Sequence, residues 1–423
     1  MARVAVVGAG YVGLTTAACL CHLGHEVRCS DPQRDRVDQL SDGRVPIVEE
    51  GLVGLVREGI GAGRLSFGTS NTWVVQDAGF SFLCVPTPQG PDGRADMSHI
   101  ESVAREIGPF LNVESVVVNK STVPVGSARV VERSLGRPDV AVVSNPEFLR
   151  EGSAVHDFLH PSRIVIGADD ESVAIRVAGL FLRTSAPLVV TDPATAETIK
   201  YASNAFLATK LSFVNAIAAL CEAVGADVRQ VVLGMGTDPR IGAEFLRPGP
   251  GWGGSCFPKD TTALVRIAED AGYDFSLLKG VIKVNNEQYD RVAAKVERLA
   301  GGVLHGRTVA LWGLTFKART DDLRSSPSLE IASRLRARGA LVQAYDPTVN
   351  HPLEGLDVRA DPYSACEDAC VLIVATEWDE LRWLDFQKVG ALMVNKAIVD
   401  ARNLLEPAML RRAGFDYEGI GTR

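Results

Sequence analysis

The chain has no run of about 20 apolar residues, the length a helix needs to cross a bilayer, so no membrane segment is expected. It also has no excess of basic charge, since 44 Lys and Arg stand against 52 Asp and Glu, for a net charge of −8. General nucleic-acid binders carry a basic field over one face, so no nucleic-acid partner is expected and an anionic ligand must be held by local donors. Eight cysteines in 423 residues are too few for a disulfide scaffold, and none falls in the paired spacing of a zinc site. Reduced thiols, a cytoplasmic location and no metal site are the corresponding expectations. Low-complexity tracts and short internal repeats are missing as well.

What is there has the mix of a globular protein able to bury sizeable cores, 46% hydrophobic and 23% charged. The length exceeds one ordinary core, because domains usually hold roughly 100–200 residues, so two or three domains are expected. Two segments read as openings of parallel-sheet units. RVAVVGAGYVG is followed by EVRCSDP, and TVALWGLTFK by LVQAYDP; each is an apolar strand, a glycine turn, a helix pattern and a second strand ending in Asp-Pro. The runs GFSFLCVPTP, SVVVNKSTVPVG, VAVVSNPEFL and RIVIGA extend the first sheet, and CVLIVAT and AIVDARN the second. From about Ala194 to Leu299 strand signals vanish. There TAETIKYASNAFLATKLSFVNAIAALCEAVG has apolar residues at helical spacing without proline or interior glycine, which predicts a long helix. The expected fold class is α/β, two Rossmann-like doubly wound domains joined by a long central helix. Its parts would cover residues 1–193, 194–300 and 301–423.

In VAVVGAGYVG, Gly8, Gly10 and Gly13 directly follow a strand and open a helix over Tyr11–Leu23. A dinucleotide site asks for all three glycines: one for the tight turn, one for approach to the pyrophosphate, one for close helix–strand packing. The pyrophosphate would rest on the helix N-terminus, whose N–H groups and dipole favour anions. The apolar start MARVAVVGAGYVGLTTAACLC could also suggest a leader peptide, but the glycine spacing fits the nucleotide turn better. Asp31, about 20 residues on, can accept from both ribose hydroxyls and would repel a 2′-phosphate, which reads as NAD. Arg34 and Arg36 nearby leave NADP open.

The motifs GAGYVG, VPTP, STVPVG, NPEFLREG, KYASNAFLATK, RIGAEFLRPGPGWGGSCFPKD and GLTFKARTDDLRSSP, in this order from Gly8 to Arg402, resemble the UDP-glucose/GDP-mannose dehydrogenase family. The run RIGAEFLRPGPGWGG resembles its UDP-glucose branch more than its GDP-mannose branch. The resemblance implies an NAD-dependent, four-electron oxidation of a sugar nucleotide's primary alcohol to the acid, without release of the aldehyde. It also implies an N-terminal NAD-binding domain, a C-terminal UDP-sugar-binding domain and a central helical region that makes a homodimer.

Residue by residue, the resemblance makes Cys256 the nucleophile, with Gly251, Gly253 and Gly254 letting the backbone approach the sugar. Lys200 and Asn204, four apart on one helix face, would stabilise the oxyanion at C6. Asp260, with Thr122, would hold a catalytic water, and Glu151 would act in thioester hydrolysis; which carboxylate activates water stays open, with Glu147 a weaker candidate. Cofactor contacts are implied for Tyr11, Val12, Arg36, Pro86, Thr87, Thr122, Glu151 and Arg324, beside the glycines and Asp31. Substrate contacts are implied for Phe148, Leu149, Arg150, Glu151, Lys200, Asn204, Phe245, Gly253, Phe257, Lys317 and Arg402, with Arg240 reaching across the dimer into the partner's site. The chain departs from the family pattern at Ser70-Asn71, Pro161-Ser162-Arg163 and Asn215-Ala216, none of them assigned to chemistry. Three alternatives remain open: another sugar nucleotide (a UDP-N-acetylhexosamine, dTDP-glucose or GDP-mannose), a non-catalytic nucleotide-binding sensor, and a two-electron dehydrogenase that would not need Cys256.

Overall fold

The computed structural model describes residues 1–422. It divides into two compact units, one of residues 1–203 with 262–271 and one of 204–261 with 272–422. The first is built on eight strands: β1 (Arg3–Val7), β2 (Glu26–Ser30), β3 (Leu65–Gly68), β4 (Phe80–Leu83), β5 (Val116–Asn119), β6 (Ala141–Ser144), β7 (Ile164–Gly167) and β8 (Leu188–Thr191). They lie in the order β3-β2-β1-β4-β5-β6-β7-β8, parallel except where β6 meets β7. The second unit holds β9 (Thr308–Trp312), β10 (Leu341–Tyr345), β11 (Asp357–Val358), β12 (Val371–Val374), β13 (Ala397–Asp400) and β14 (Asp416–Gly419). Their order is β11-β10-β9-β12-β13-β14, parallel throughout.

Both faces of each sheet are covered, which explains why the central strands read as unbroken apolar runs rather than as alternating ones. Along β1, Val4 and Val6 join the core on one face and Ala5 and Val7 the core on the other. Along β9, Val309 and Leu311 divide from Ala310 and Trp312 in the same way. In both sheets the strand order reverses beside the first strand, between β1 and β4 and between β9 and β12. An α/β sheet opens its ligand crevice at such a reversal.

The predicted long helix is present as the spine helix, Pro193–Val224. Pro193 suits its first position, Asp192 accepts from the Thr195 N–H at 2.9 Å, and no later proline or glycine interrupts it. Gly225, in the left-handed region at φ 78°, ends it by donating to Cys221 O. The expectation that no segment reaches membrane-spanning length needs amending. This is the one helix among the described residues long and apolar enough to cross a membrane by length and composition, and 33% of its apolar window is buried. It nonetheless carries Glu197, Lys200, Asn204, Ser212 and Asn215, all buried and all bonded to polar groups.

Candidate active site

In the first unit, β1 delivers Gly8 to the reversal point with φ 99°, a conformation only glycine adopts without strain. A Cβ on Gly13 would fall 1.8 Å from Gly8 O, so strand and helix meet there only because Gly13 has no side chain. Nothing lies within 4 Å of a Cβ built on Gly10, which leaves an open surface over the N-terminus of the helix Tyr11–His22. That cradle fits a pyrophosphate. Asp31, buried at the end of β2, accepts from Ala9 N at 3.1 Å and Gln33 N at 3.0 Å, and pairs with Arg36 at 3.2 Å. Arg36 is therefore engaged by this carboxylate. Thr87, after β4, donates to Thr122 O at 2.7 Å, and Pro86 beside it is exposed. Val12 is half-buried against the sheet core.

The loop after β6 carries Glu147 to Glu151. Glu147 and Lys200 are both nearly inaccessible and form an ion pair of 2.7 Å, with the ammonium also donating to Glu147 O at 2.6 Å. Burial would push the Glu147 carboxyl up. The Lys200 charge and hydrogen bond, the Leu149 N–H and the Lys120 charge outweigh it and hold the group below its ordinary range. Phe148 stacks under Arg163, whose guanidinium carbon lies 3.6 Å from the ring centre, so the departure at Pro161-Ser162-Arg163 keeps the residue that matters to packing. The departure at Ser70-Asn71 is likewise absorbed: Ser70 caps a helix by accepting from Trp73 N. Arg150 is exposed and forked onto Asp157, while Glu151 is half-buried. Tyr11 reaches from the cofactor turn to Glu49, which also accepts from Gly152 N at 2.7 Å.

In the second unit, Asn204 sits one turn beyond Lys200 on the spine helix and donates to Asp260 at 2.6 Å. Asp260 is fully buried, and its other oxygen pairs with Lys259 at 2.6 Å. Cys256 is the residue before the helix Phe257–Asp270, and its carbonyl takes that helix's first hydrogen bond, from Asp260 N. The thiol thus stands at a helix N-terminus, a position that favours negative charge. The other seven cysteines are buried, and burial pushes Cys84 and Cys366 up to about 12. Cys256 is half-exposed, with its sulfur 3.6 Å from Ser255 Oγ.

The glycines ahead of Cys256 are required one by one. A Cβ on Gly253 would lie 1.9 Å from Ser325 O, and Gly254, at φ 84°, packs flat on the Phe316 ring. Side chains far away in sequence lace the same loop into place. Trp252 N donates to Asn285, Trp252 O accepts from Asn285 and Tyr289, and the indole donates to Ser212. Gly249 N donates to Asn215, so the departure at Asn215-Ala216 retains the anchoring side chain. Phe257 packs edge-on against Trp252 and beside Phe245, which holds a left-handed backbone at φ 60°. Lys259, Asn285, Gln288, whose amide donates to Gly249 O at 2.8 Å, and Tyr289 were not singled out from sequence. Only the adjacency of Lys259 to Asp260 offered a signal, while the other three are ordinary helix residues until the loop is seen on them.

At the second reversal point, Gly313 at φ 90° turns the chain against Thr376. Asp346 holds the place after β10 that Asp31 holds after β2. Its Oδ2 accepts from Leu314 N, Thr315 N, Thr315 Oγ1 and the Trp378 indole, and its Oδ1 from Thr348 N and Thr348 Oγ1, so neither oxygen is left for a ribose. The turn is therefore self-satisfied, unlike the open one in the first unit. Arg402 crosses this edge, donating to Phe316 O and Ala375 O at 2.9 Å each, and Lys317 lies over the Phe316 ring. Arg324 pairs with Asp322 and Arg240 with Asp238; both are solvent-facing, Arg240 with 88% of its side chain exposed.

Residues 2–184 match the NAD binding domain of the UDP-glucose/GDP-mannose dehydrogenase family, 194–287 its central domain and 310–407 its UDP binding domain. The chain is similar to the UDP-glucose 6-dehydrogenase of Pseudomonas aeruginosa, with 45% identity over 99% of this chain and 97% of that one. It is similar to the UDP-glucose 6-dehydrogenase TuaD of Bacillus subtilis at 42% identity, over 100% and 93%. Among solved structures it resembles a UDP-glucose dehydrogenase from Pyrobaculum islandicum, with a TM-score of 0.93 and 38% identity over 100% and 98% of the two chains. Agreement that runs in order through all three parts goes far beyond a shared glycine turn, and it means that this chain belongs to the UDP-glucose/GDP-mannose dehydrogenase family.

Proposed function

We propose that the protein oxidises UDP-glucose at C6 to UDP-glucuronate, using NAD and a covalent intermediate on Cys256. The observation that carries the reading is the cysteine loop: one half-exposed thiol at a helix N-terminus, held by three constrained glycines, with Asp260 on the following turn bonded both to its neighbour Lys259 and to Asn204 of the spine helix. A binding module or a two-electron dehydrogenase needs none of this.

When bound, NAD accepts the hydride lost from C6 at each of the two oxidations. The protein's own part begins with the alcohol, which loses a proton and a hydride to give the aldehyde. Lys200 and Asn204, one helical turn apart, present an ammonium and an amide to the oxygen on which charge develops. The Cys256 sulfur then adds to the aldehyde carbon, and the resulting thiohemiacetal again has a C–H from which hydride can leave, which yields a thioester. Water breaks the C–S bond, releasing the carboxylate and restoring the thiol. Both carboxylate oxygens of Glu147 are taken, one by Lys200 and one by Leu149 N, so its first role is to hold Lys200 charged and in place. Water activation is left to Asp260 with Thr122, or to Glu151. Lys317, Arg402, Gly253, Phe257 and Phe148 to Arg150 serve the sugar nucleotide, and Arg324 the cofactor.

A homodimer is part of the same reading. On the spine helix Phe206, Phe213 and Leu220 recur every seven residues, nearly two full turns, and each is about half or more exposed. A second copy of the chain would cover this stripe, with Arg240 extended for the partner's site. The division at 1–193, 194–300 and 301–423 then corresponds to cofactor, dimerisation and sugar-nucleotide parts.

The test is the count of NADH formed per sugar nucleotide consumed, over UDP-glucose, a UDP-N-acetylhexosamine, GDP-mannose and dTDP-glucose. UDP-glucose is expected to turn over best and to yield two NADH. A ratio of one, or free aldehyde in solution, overturns the covalent route; a better rate with another sugar overturns only the substrate. For the cofactor, Asp31→Ala removes the charged ribose acceptor, a hydrogen bond of about 1.5–3 kcal/mol, so NAD affinity should fall by about 10- to 100-fold. The preference over NADP should narrow, because the repulsion of the 2′-phosphate is also lost. An unchanged ratio of kcat/KM values for the two cofactors would remove Asp31 from this role.

A further inference from the structure

Glu197 is a buried carboxylate that the chemistry above does not use. It lies in the first turns of the spine helix, three residues before Lys200, and is 3% exposed. Its Oε2 accepts from Gly126 N at 2.6 Å, and its Oε1 from Ala128 N at 3.0 Å and Ser144 Oγ at 2.9 Å. Gly126 and Ala128 bracket the start of the helix Ser127–Leu135, which has no side-chain cap from its own neighbours. Glu197 therefore caps that helix from a distant element, with a negative charge where the helix dipole favours one.

The segment that ends at Gly126 is the loop Ser121–Gly126, which carries Thr122. Its other end is held at two successive residues, by Ser121, whose hydroxyl donates to Val85 O at 2.7 Å, and by Thr87, which donates to Thr122 O at 2.7 Å, so Glu197 supplies the hold at the Gly126 end. Ser144 ends β6 and leads into the loop of Glu147, which Lys200 grips. One turn of the spine helix thus holds both loops: Glu197 the loop of Thr122 and the end of β6, Lys200 the loop of Glu147.

We infer that Glu197 is a positioning residue for the reaction, fixing Thr122 relative to Lys200 through the Ser121–Gly126 loop. The inference rests on the role given to Thr122 above. The site asks for a carboxylate in particular. All the hydrogen-bonding groups facing it are donors; glutamine would offer one acceptor oxygen and turn an NH2 toward backbone N–H groups. The loop would then shift at the end nearest Gly126, and displacements of about 1 Å at a reacting group cost on the order of 100-fold in rate.

The experiment uses the full-length protein and compares Glu197→Gln, Thr122→Ala and the double variant, after circular dichroism has confirmed native folding. Glu197→Gln should lower kcat with UDP-glucose by about 10- to 100-fold. Affinity for UDP alone, measured by calorimetry, should stay within about 2-fold, since the residues proposed to hold the nucleotide are laced separately. The double variant should be no slower than Thr122→Ala by more than about 2-fold, because two residues that act as one unit do not lose rate twice. Should Glu197→Gln not fold, Ser144→Ala, which removes one donor only, takes its place with an expected loss of about 3-fold that again vanishes in the Thr122→Ala background. Losses that multiply, or a folded Glu197→Gln with wild-type kcat beside a slow Thr122→Ala, overturn the inference. A Thr122→Ala variant that turns over normally shows instead that the reading of Thr122 was wrong, and the inference falls with it.

Discussion

Cys256→Ala is expected to lower steady-state turnover of UDP-glucose by at least about 1,000-fold, since it removes the sulfur proposed to hold the aldehyde between the two oxidations. The fold should survive. The thiol is half-exposed, and the loop is held by Trp252, Asn285 and Tyr289 rather than by the sulfur. The first oxidation does not use the thiol, so binding of NAD and of UDP should remain near wild type. Cys256→Ser sharpens the case. A hydroxyl can still add to the aldehyde, but it is a poorer nucleophile, and the ester it forms hydrolyses more slowly than a thioester. The serine variant should therefore accumulate a covalent sugar adduct, visible as added mass on the peptide containing Phe257 and Lys259, while the alanine variant shows none. If Cys256→Ala keeps wild-type turnover on the alcohol, the covalent mechanism is wrong.

The second large effect belongs to the buried pair of Lys200 and Glu147. Lys200→Met removes the ammonium proposed to meet the oxyanion, a loss of about 100- to 1,000-fold in kcat. It also strands a carboxylate in the interior, which costs about 3–5 kcal/mol of stability when a buried pair is broken from one side. The two consequences separate by pH. In the wild type the Glu147 carboxyl is held below its ordinary range, so its contribution to stability is fully present above that range and is lost as the pH falls through the folded-state value. In the variant burial prevails and the carboxyl moves up. The stability deficit should then be largest at neutral pH and shrink on acidification, while kcat stays low throughout. Thermal denaturation of both proteins between neutral pH and the carboxylate range would show it. A deficit that does not depend on pH would mean that Glu147 does not carry the charge assigned to it.

Much of the fold was legible because its signals are local. Each glycine turn sits between its own strand and helix, and the spine helix announces itself by spacing alone, with Pro193 and Gly225 at its ends. The strands that went unnoticed are of another kind. β3, β8 and β11 are short pieces that take their place at or near a sheet edge by pairing, and β14 is the four-residue segment Asp416–Gly419 with little apolar character of its own. Nothing within β11 or β14 distinguishes it from a loop, and the neighbouring strand does, whereas β8, Leu-Val-Val-Thr, carried an apolar β-branched signal of its own that was passed over.

The same division runs through the site. Sequence by itself determined the residue types and their order: three glycines and Asp31 for a dinucleotide, Lys200 and Asn204 on one helical face, and Cys256 among glycines. It determined them because each constraint acts over a few residues, through backbone conformation or helical period. Only the tertiary structure decided the rest. It turned Glu147 from a possible base into the clamp of Lys200, 53 residues away, and it joined Asn204 to Asp260 across 56. It spent Asp346 on its own turn, whereas Asp31 stands beside an open cradle, although both follow a strand in the same Ser/Tyr-Asp-Pro setting. It also set Glu197 under the loop of Thr122. The physical reason is common to these cases: a buried charge must find a partner, and which partner it finds depends on what the fold brings within 3 Å, a distance that leaves no trace in the spacing of the sequence.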